Sequence, residues 1–313
     1  MHRLNPLGAG QNLKNKTIMK ISVIIPTYNR ADKVREAIGS VQRQTYPAHE
    51  IIVVDDGSRS DAAAIVAHEM RVKYIYQTNA GISVALNNAI LQATGDWIAI
   101  LGDDDLFLPV KLEECVKALK ANTNCSVCVH DSRFTNNPTL THAFAKVKFQ
   151  HEAAGVIPDA TERIINPPHG LFTQSSVISR QAALFCPFDP GLRVCEDTDI
   201  FFRLSLRHKF CYINQELTQI DRTPKRTGGG LTDARKDKPE IFFEAQDRMY
   251  RGWLKLFDSP IIRRRLAEVH NGWGNLEVSR GNRLRALDCY SKANLIKPKL
   301  SYIVKVLYNT FRA

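Results

Sequence analysis

The stretch ISVIIPTYNR (21–30), followed by IIVVDDGS (51–58), decides the fold class. Each segment opens with a short, continuous apolar run rich in β-branched residues and then breaks abruptly into polar turn residues. Such a run is the pattern of a strand buried on both faces, as in a parallel sheet covered by helices. Between the two runs, Asp32 to Gln44 has helical spacing, with Val34, Ile38 and Val41 on one face. The alternation continues outward. Residues 61–70 read as helix, 72–76 as strand, Ser83 as the N-cap of a helix running to Ala93, and 97–101 as a fourth strand. A helix over 111–121 and a fifth strand at 126–129 complete the series. Repeated strand–helix units predict a mostly parallel α/β sheet with helices on both faces.

Beyond residue 131 the periodicity loosens. Residues 131–170 read as a variable insertion over a cleft, 196–207 as helix and 210–213 as a short strand, while Gly228 to Gly230 mark a lid-like loop or a plain linker. From about 239 the chain looks wholly helical, and residues 273–298 resemble a single tetratricopeptide-type hairpin expected to pack on the main domain. The predicted organisation is a flexible extension over 1–19, a catalytic domain over 20–232 and a helical region over 233–313.

Composition is that of a globular chain, with 44% hydrophobic and 24% charged residues. No apolar run approaches the roughly 20 residues of a membrane span, and the N-terminus lacks the apolar core of a secretory leader. Seven cysteines, scattered among apolar neighbours, fit reduced core thiols in the cytoplasm better than a disulfide framework. Cys125 and Cys128 form a CxxC, but it lies inside a strand-like run with no second pair nearby. The net charge of +11 sits at the ends: residues 231–313 carry 17 Lys+Arg against 9 Asp+Glu, whereas residues 21–230 are near neutral. Nucleic acid would want a basic stripe on the folded body. Basic ends suit an anionic membrane face instead. Within the last segment, Leu300, Val304, Leu307 and Phe311 recur at helical spacing, either as an interfacial stripe or as a face packed on the hairpin.

Ligands of a parallel α/β sheet bind at the carboxyl ends of its strands. Those ends read PTYNR (26–30), DDGS (55–58), TNAG (78–81) and GDDD (102–105), so one rim collects five carboxylates, an aromatic and an arginine. Clustered carboxylates with phosphate as co-ligand suit Mg²⁺ or Mn²⁺. There is no GxxxxGK[ST] and no GxGxxG after the first strand, which excludes a P-loop enzyme and a dinucleotide dehydrogenase of the usual kind. HExxH and GxSxG are absent as well.

SVIIPTYNR, IIVVDDGS, NAGISVALNNAI, GDWIAILGDDD and CEDTDIFFRL, in that order, resemble the successive motifs of family 2 glycosyltransferases with the GT-A fold. The resemblance covers residues 20–215. It implies an inverting transferase that moves a sugar from a nucleotide-diphosphate donor, UDP-linked, to a hydroxyl of a saccharide or lipid-linked acceptor, in the synthesis of cell-surface polysaccharide or glycoconjugate. It implies a donor-nucleotide site of Pro26, Thr27, Tyr28, Arg30, Asp56, Asn79 and Asp103. Tyr28 would stack on the base, Asp56 accept a hydrogen bond from it, and Asp103 lie by the ribose. Asp104 and Asp105 would serve the metal, and Asp197 would be the general base. Asp55 and Asp199 read as structural, and His169 as either an acceptor contact or a structural loop histidine. Two positions depart from the family pattern: Gly102 stands where many members have an Asp, and Leu86 where many have Arg or Lys. Phosphate neutralisation would then fall to Arg30, or to Arg222, Lys225 and Arg226. A nucleotidyltransferase lacks support because PTYNRAD is not a Gly-rich, basic loop. A decayed binding module is disfavoured by the joint retention of Asp56, Asp104 and Asp197. Apart from the resemblance, the cysteines and the basic ends give the expected location as cytoplasmic, free or peripheral on the cytoplasmic face of the inner membrane.

Overall fold

A computed structural model describes residues 18–135, 142–146, 153–166, 170–221 and 238–310. Its first part alternates β1 (Ile21–Thr27), α1 (Ala31–Gln42), β2 (Glu50–Asp55), α2 (Ala62–Glu69), β3 (Lys73–Tyr76), α3 (Ile82–Gln92) and β4 (Trp97–Ile100). Then come β5 (Leu106–Phe107), α4 (Lys111–Ala121), β6 (Cys125–Thr135), β7 (Ala154–Ile157), α5 (Ala160–Ile165), β8 (Ser176–Ser179), α6 (Arg180–Phe185), α7 (Glu196–Ser205) and β9 (Lys209–Asp221). The C-terminal helices are α8 (Pro239–Leu256), α9 (Pro260–Ser279), α10 (Arg283–Ile296) and α11 (Leu300–Thr310).

The nine strands form one sheet in the order β3-β2-β1-β4-β8-β6-β9-β5, with β7 also on β9. β1, β2, β3 and β4 pair in parallel, as the apolar runs require, and their register sets Thr27, Asp55 and Tyr76 side by side at one edge. β8 enters antiparallel between β4 and β6, so the fifth strand of the series does not touch the fourth. Because β4 and β6 both oppose β8, β6 keeps the direction of the first four, and β9 follows it in parallel.

Three local expectations are corrected. The short strand expected at 210–213 is the first part of the long β9, and the insertion after 131 carries regular structure, since β6 extends to Thr135 and β7 and α5 follow. Ser83 is not an N-cap: Gly81 holds that position, and the Ser83 hydroxyl donates to Leu192 O at 2.8 Å. The helix begins at Ile82 after Gly81 (φ 94°), so Ser83 lies inside its first turn, where the hydroxyl donates to a distant carbonyl. Trp97 opens β4 half-buried against the core.

Alternate residues of each strand feed two cores. Ile24, Ile52, Val54 and Ile100 meet α3 on one face, and Val23, Ile25 and Val53 meet α1 and α4 on the other. Each such burial is worth about 1.5–3 kcal/mol over exposure. Cys125 and Cys128 lie in the second core, and all seven cysteines are free thiols.

The C-terminal helices share the first core through α8, whose Trp253 is fully buried. Its ring stacks on Phe202 of α7 at 4.0 Å, and its indole N–H donates to Asp199 at 2.9 Å. Asp199 also accepts from Arg203 Nε at 2.7 Å, so this first-turn acid is a buried clamp between α7 and α8. α9 and α10 form the hairpin, turning at Gly281 (φ 79°). No helix among the described residues is long and apolar enough to cross a membrane.

Candidate active site

The carboxyl edge of β1, β2 and β4 gathers most of the residues singled out in the sequence. Thr27 ends β1 and donates its hydroxyl to Asp103 Oδ2 at 2.9 Å. One guanidinium nitrogen of Arg30 reaches both Asp103 Oδ1 (2.8 Å) and Asp104 Oδ2 (3.1 Å). A strand end, the turn after it and the turn after β4 are thus locked together across more than 70 residues of sequence. Burial opposes the charge of Arg30, but Asp103, Asp104 and Asp105 outweigh it and hold its pKa above the ordinary arginine value. For Asp103, burial is the larger influence; against the pull of Arg30 it raises the carboxyl above its usual range.

The three acids of the β4 turn have different surroundings. Asp103 and Asp105 are buried, and Asp104 is partly open. Asp105 accepts the N–H of Asp221, the last residue of β9, at 2.9 Å. Its other oxygen folds under Gly102, where an added Cβ would lie only 2.5 Å away. Glycine at 102 is therefore matched to the inward placement of Asp105, and a side chain there would have to displace that carboxylate.

Asp56, after β2, is fastened to the loop before α3. Its carboxylate accepts from Gln77 Nε2 (2.8 Å), Ala80 N (2.8 Å) and Gly81 N (2.9 Å). Asn79 closes the same loop by donating to Asp56 O at 2.8 Å. Gly57, with φ 84°, lets the two loops touch: a Cβ there would stand 2.6 Å from Asn79 N. Asp55 is buried and accepts from Ser58 N and Tyr74 OH. Pro26 is buried at the end of β1, whereas Tyr28, two residues on, is 46% exposed. Leu86 lies inside the first core, so α3 points an apolar residue inward at this departure from the pattern.

Asp197 sits in the first turn of α7. Thr198 donates to its Oδ1 from both backbone (2.6 Å) and hydroxyl (3.2 Å), and among the described residues nothing hydrogen-bonds Oδ2. A strap over residues 188–194 leads into this helix. The strap is tied to α3 by Ser83–Leu192 and by a reciprocal Asn87–Phe188 pair (2.8 and 2.9 Å). Beside Asp197, burial and the neighbouring negative charge push Glu196 up to about 8.

That shift has a testable sign. The folded value of about 8 lies above the ordinary 4.5, so between the two the folded chain keeps a proton that the unfolded chain has released. Stability should therefore fall as pH rises through that window. Glu196→Gln, neutral throughout, is expected to flatten this slope in melting temperatures taken from about pH 5 to about pH 8.5. An unchanged slope would remove Glu196 as its source.

Sequence reading missed Gln77, the Asp221 amide and the strap residues Phe188 and Leu192. Their contributions are long-range hydrogen bonds, which leave no periodicity to detect. His169, Arg222, Lys225, Arg226 and Gly228 to Gly230 lie outside the described residues.

A model of the family described as "Glycosyl transferase family 2" matches residues 22–178, half of the chain. This chain belongs to that family. Among curated relatives, an uncharacterized glycosyltransferase of Rickettsia typhi is 30% identical over 200 residues, covering 63% of this chain and 62% of the relative. The family member thus spans less than two thirds of that relative's length. A putative colanic acid biosynthesis glycosyl transferase of Escherichia coli K12, WcaA, is 27% identical over 298 residues, 87% of this chain and 98% of that protein. Among solved structures, S. aureus TarS 1–349 in complex with UDP-GlcNAc has a TM-score of 0.65 at 18% identity, covering 93% of this chain and 89% of that one. The mannosyltransferase PcManGT of Pyrobaculum calidifontis, in complex with GDP-Man and Mn²⁺, has a TM-score of 0.55 at 15% identity, covering 95% and 81%. These structural likenesses establish the GT-A-type α/β fold of the family member.

The fit of a divalent cation can be judged from the donors present. Arg30 shows that Asp103 and Asp104 converge on a single positive charge, and their oxygens are of the type that Mg²⁺ and Mn²⁺ take. No group of three or more His, Cys, Asp or Glu is arranged to hold a metal among the described residues. A bound ion would therefore need substrate phosphates to complete its shell, which is the usual mode for Mg²⁺.

Proposed function

We propose that the chain transfers a sugar from a nucleotide-diphosphate sugar, UDP-linked, to a hydroxyl of a saccharide or lipid-linked acceptor in cell-surface polysaccharide synthesis, inverting the anomeric centre. The observation that carries the reading is the coupled rim: Thr27 and Arg30 tied to Asp103 and Asp104, next to exposed Tyr28 and the Asp56 loop. The colanic acid role named for the E. coli relative supports the polysaccharide part, and the TarS complex with UDP-GlcNAc supports the UDP donor. Seven free thiols suit a reducing compartment, and we place the enzyme on the cytoplasmic side.

In this reading Tyr28 offers its exposed ring to the base, and Pro26, Thr27 and Asn79 shape the walls around it. Asp56 keeps lone pairs beyond its three loop bonds, so it can receive a ring N–H while staying fixed. Asp103, held at both oxygens, would lie by the ribose. Arg30 would turn part of its charge to the diphosphate. Asp104 would hold Mn²⁺ or Mg²⁺, with Asp105 supporting that turn from beneath; the ion, when bound, supplies positive charge to the leaving diphosphate. Asp197 would take the acceptor hydroxyl proton on its open Oδ2 while Thr198 fixes the other oxygen.

Release of nucleoside diphosphate from UDP-sugars is the direct test. Turnover should appear with Mn²⁺ or Mg²⁺ and vanish in EDTA. Turnover undiminished by the chelator would overturn the metal assignment, and no turnover with any nucleotide sugar would overturn the reading itself.

A further inference from the structure

The last helix is mounted with its amphipathic faces reversed. α11 turns Tyr302, Lys305 and Asn309 toward the hairpin. Tyr302 packs with Ala267 and Ala293. Lys305 Nζ donates to Asn271 and Asn275 at 2.7 and 2.8 Å and lies 5.0 Å from the Tyr290 ring centre. The apolar side faces outward: Leu300 is 75% exposed, Val304 55%, Leu307 50% and Tyr308 54%, with Ile303 between them. The stripe expected from the sequence is therefore not packed on the preceding hairpin; its member Phe311 lies outside the described residues. A contiguous apolar face left at the surface marks an interaction site.

Charge selects the occupant. Lys292 is paired with Asp288 at 2.7 Å, but from residue 293 to the end the chain contains Lys297, Lys299, Lys305 and Arg312 and no Asp or Glu. Lys297 and Lys299, both exposed, stand immediately before the apolar face. A two-fold contact with a second copy would set these lysines near their own symmetry mates. An anionic leaflet offers the complementary charge together with an apolar layer for the side chains. We infer that α11 is an interfacial anchor that lies on an anionic lipid surface, with Leu300, Ile303, Val304, Leu307 and Tyr308 inserted and Lys297 and Lys299 at the headgroups. The inference is independent of the sugar-transfer reading, because it can be probed with vesicles alone.

Partitioning of the full chain onto phosphatidylcholine vesicles, with and without phosphatidylglycerol, tests it. Binding should require the anionic lipid and weaken with salt. Lys297→Gln and Lys299→Gln should each weaken it about fivefold, the equivalent of about 1 kcal/mol per basic group. Val304→Asp with Leu307→Asp should weaken it at least about tenfold, since two inserted side chains become charged. All four positions are outside the core, and an unchanged melting temperature would show that the variants fold. Absence of vesicle binding at every salt concentration would overturn the inference. Undiminished binding of both variant pairs would also overturn it, by placing the contact elsewhere. Sedimentation equilibrium covers the remaining rival: a dimer dissociated by the Asp pair, without vesicle binding, would assign the face to a second copy and overturn the lipid anchor.

Discussion

Asp197→Asn is expected to lower turnover by about 10² to 10⁴-fold while leaving donor affinity close to that of the parent, the range for loss of a positioned general base. The substitution preserves shape: the amide oxygen can still accept from Thr198 N, and α7 keeps its docking through Asp199, Arg203 and Trp253. What disappears is the basic oxygen on the side where no described residue bonds it. Single-turnover kinetics with donor bound beforehand, set beside calorimetric titration of UDP, separate the two quantities. Collapse of UDP binding with normal turnover of the bound complex would move Asp197 to the donor site. Anomeric configuration of the product by NMR is an independent check, because retention would contradict direct displacement.

Asp104→Ala should be nearly as severe but should differ in kind. Transfer should fall by at least about 10²-fold, because charge stabilisation of the leaving group by a bound ion is worth several kcal/mol. Affinity for nucleoside diphosphate in the presence of Mn²⁺ should fall with it. The fold should survive, since Arg30 retains Asp103, Asp103 retains Thr27, and Asp104 is the more open partner of the Arg30 bridge. Manganese titration followed by electron paramagnetic resonance, alongside melting temperature, reads binding and folding apart from activity. Full Mn²⁺ affinity in this variant would show that the cation is held elsewhere on the rim.

Both predictions concern residues named from sequence, yet the two were legible for different reasons. Asp103 to Asp105 directly follow a strand whose apolar run is unmistakable, so topology alone puts them on the ligand-binding edge. Asp197 lies far along the chain in a helix start, where an acid is equally at home as a complement to the helix dipole. Only the resemblance to family 2 glycosyltransferases singled it out. The fold adds only that the 188–194 strap leading into its helix is fastened to α3 at Ser83 and Asn87.

The chain's local chemistry by itself determined the four parallel strands, their order of helices and the acidic rim, because buried β-branched runs ending in turn residues admit few other structures. Tertiary structure decided what local pattern cannot encode. β8 slips antiparallel between β4 and β6, and β9 extends well past its apolar core by pairing with β6. The Asp56 carboxylate anchors the loop before α3, and Asp105 folds beneath Gly102 to meet the end of β9. The same limit applies at the C-terminus. A helical stripe of Leu300, Val304 and Leu307 is visible in the sequence, but which way it faces is set by Lys305 finding Asn271 and Asn275 on a neighbouring helix. Hydrogen bonds between residues tens of positions apart depend on the assembled fold, whereas burial of an apolar run depends mainly on the residues next to it.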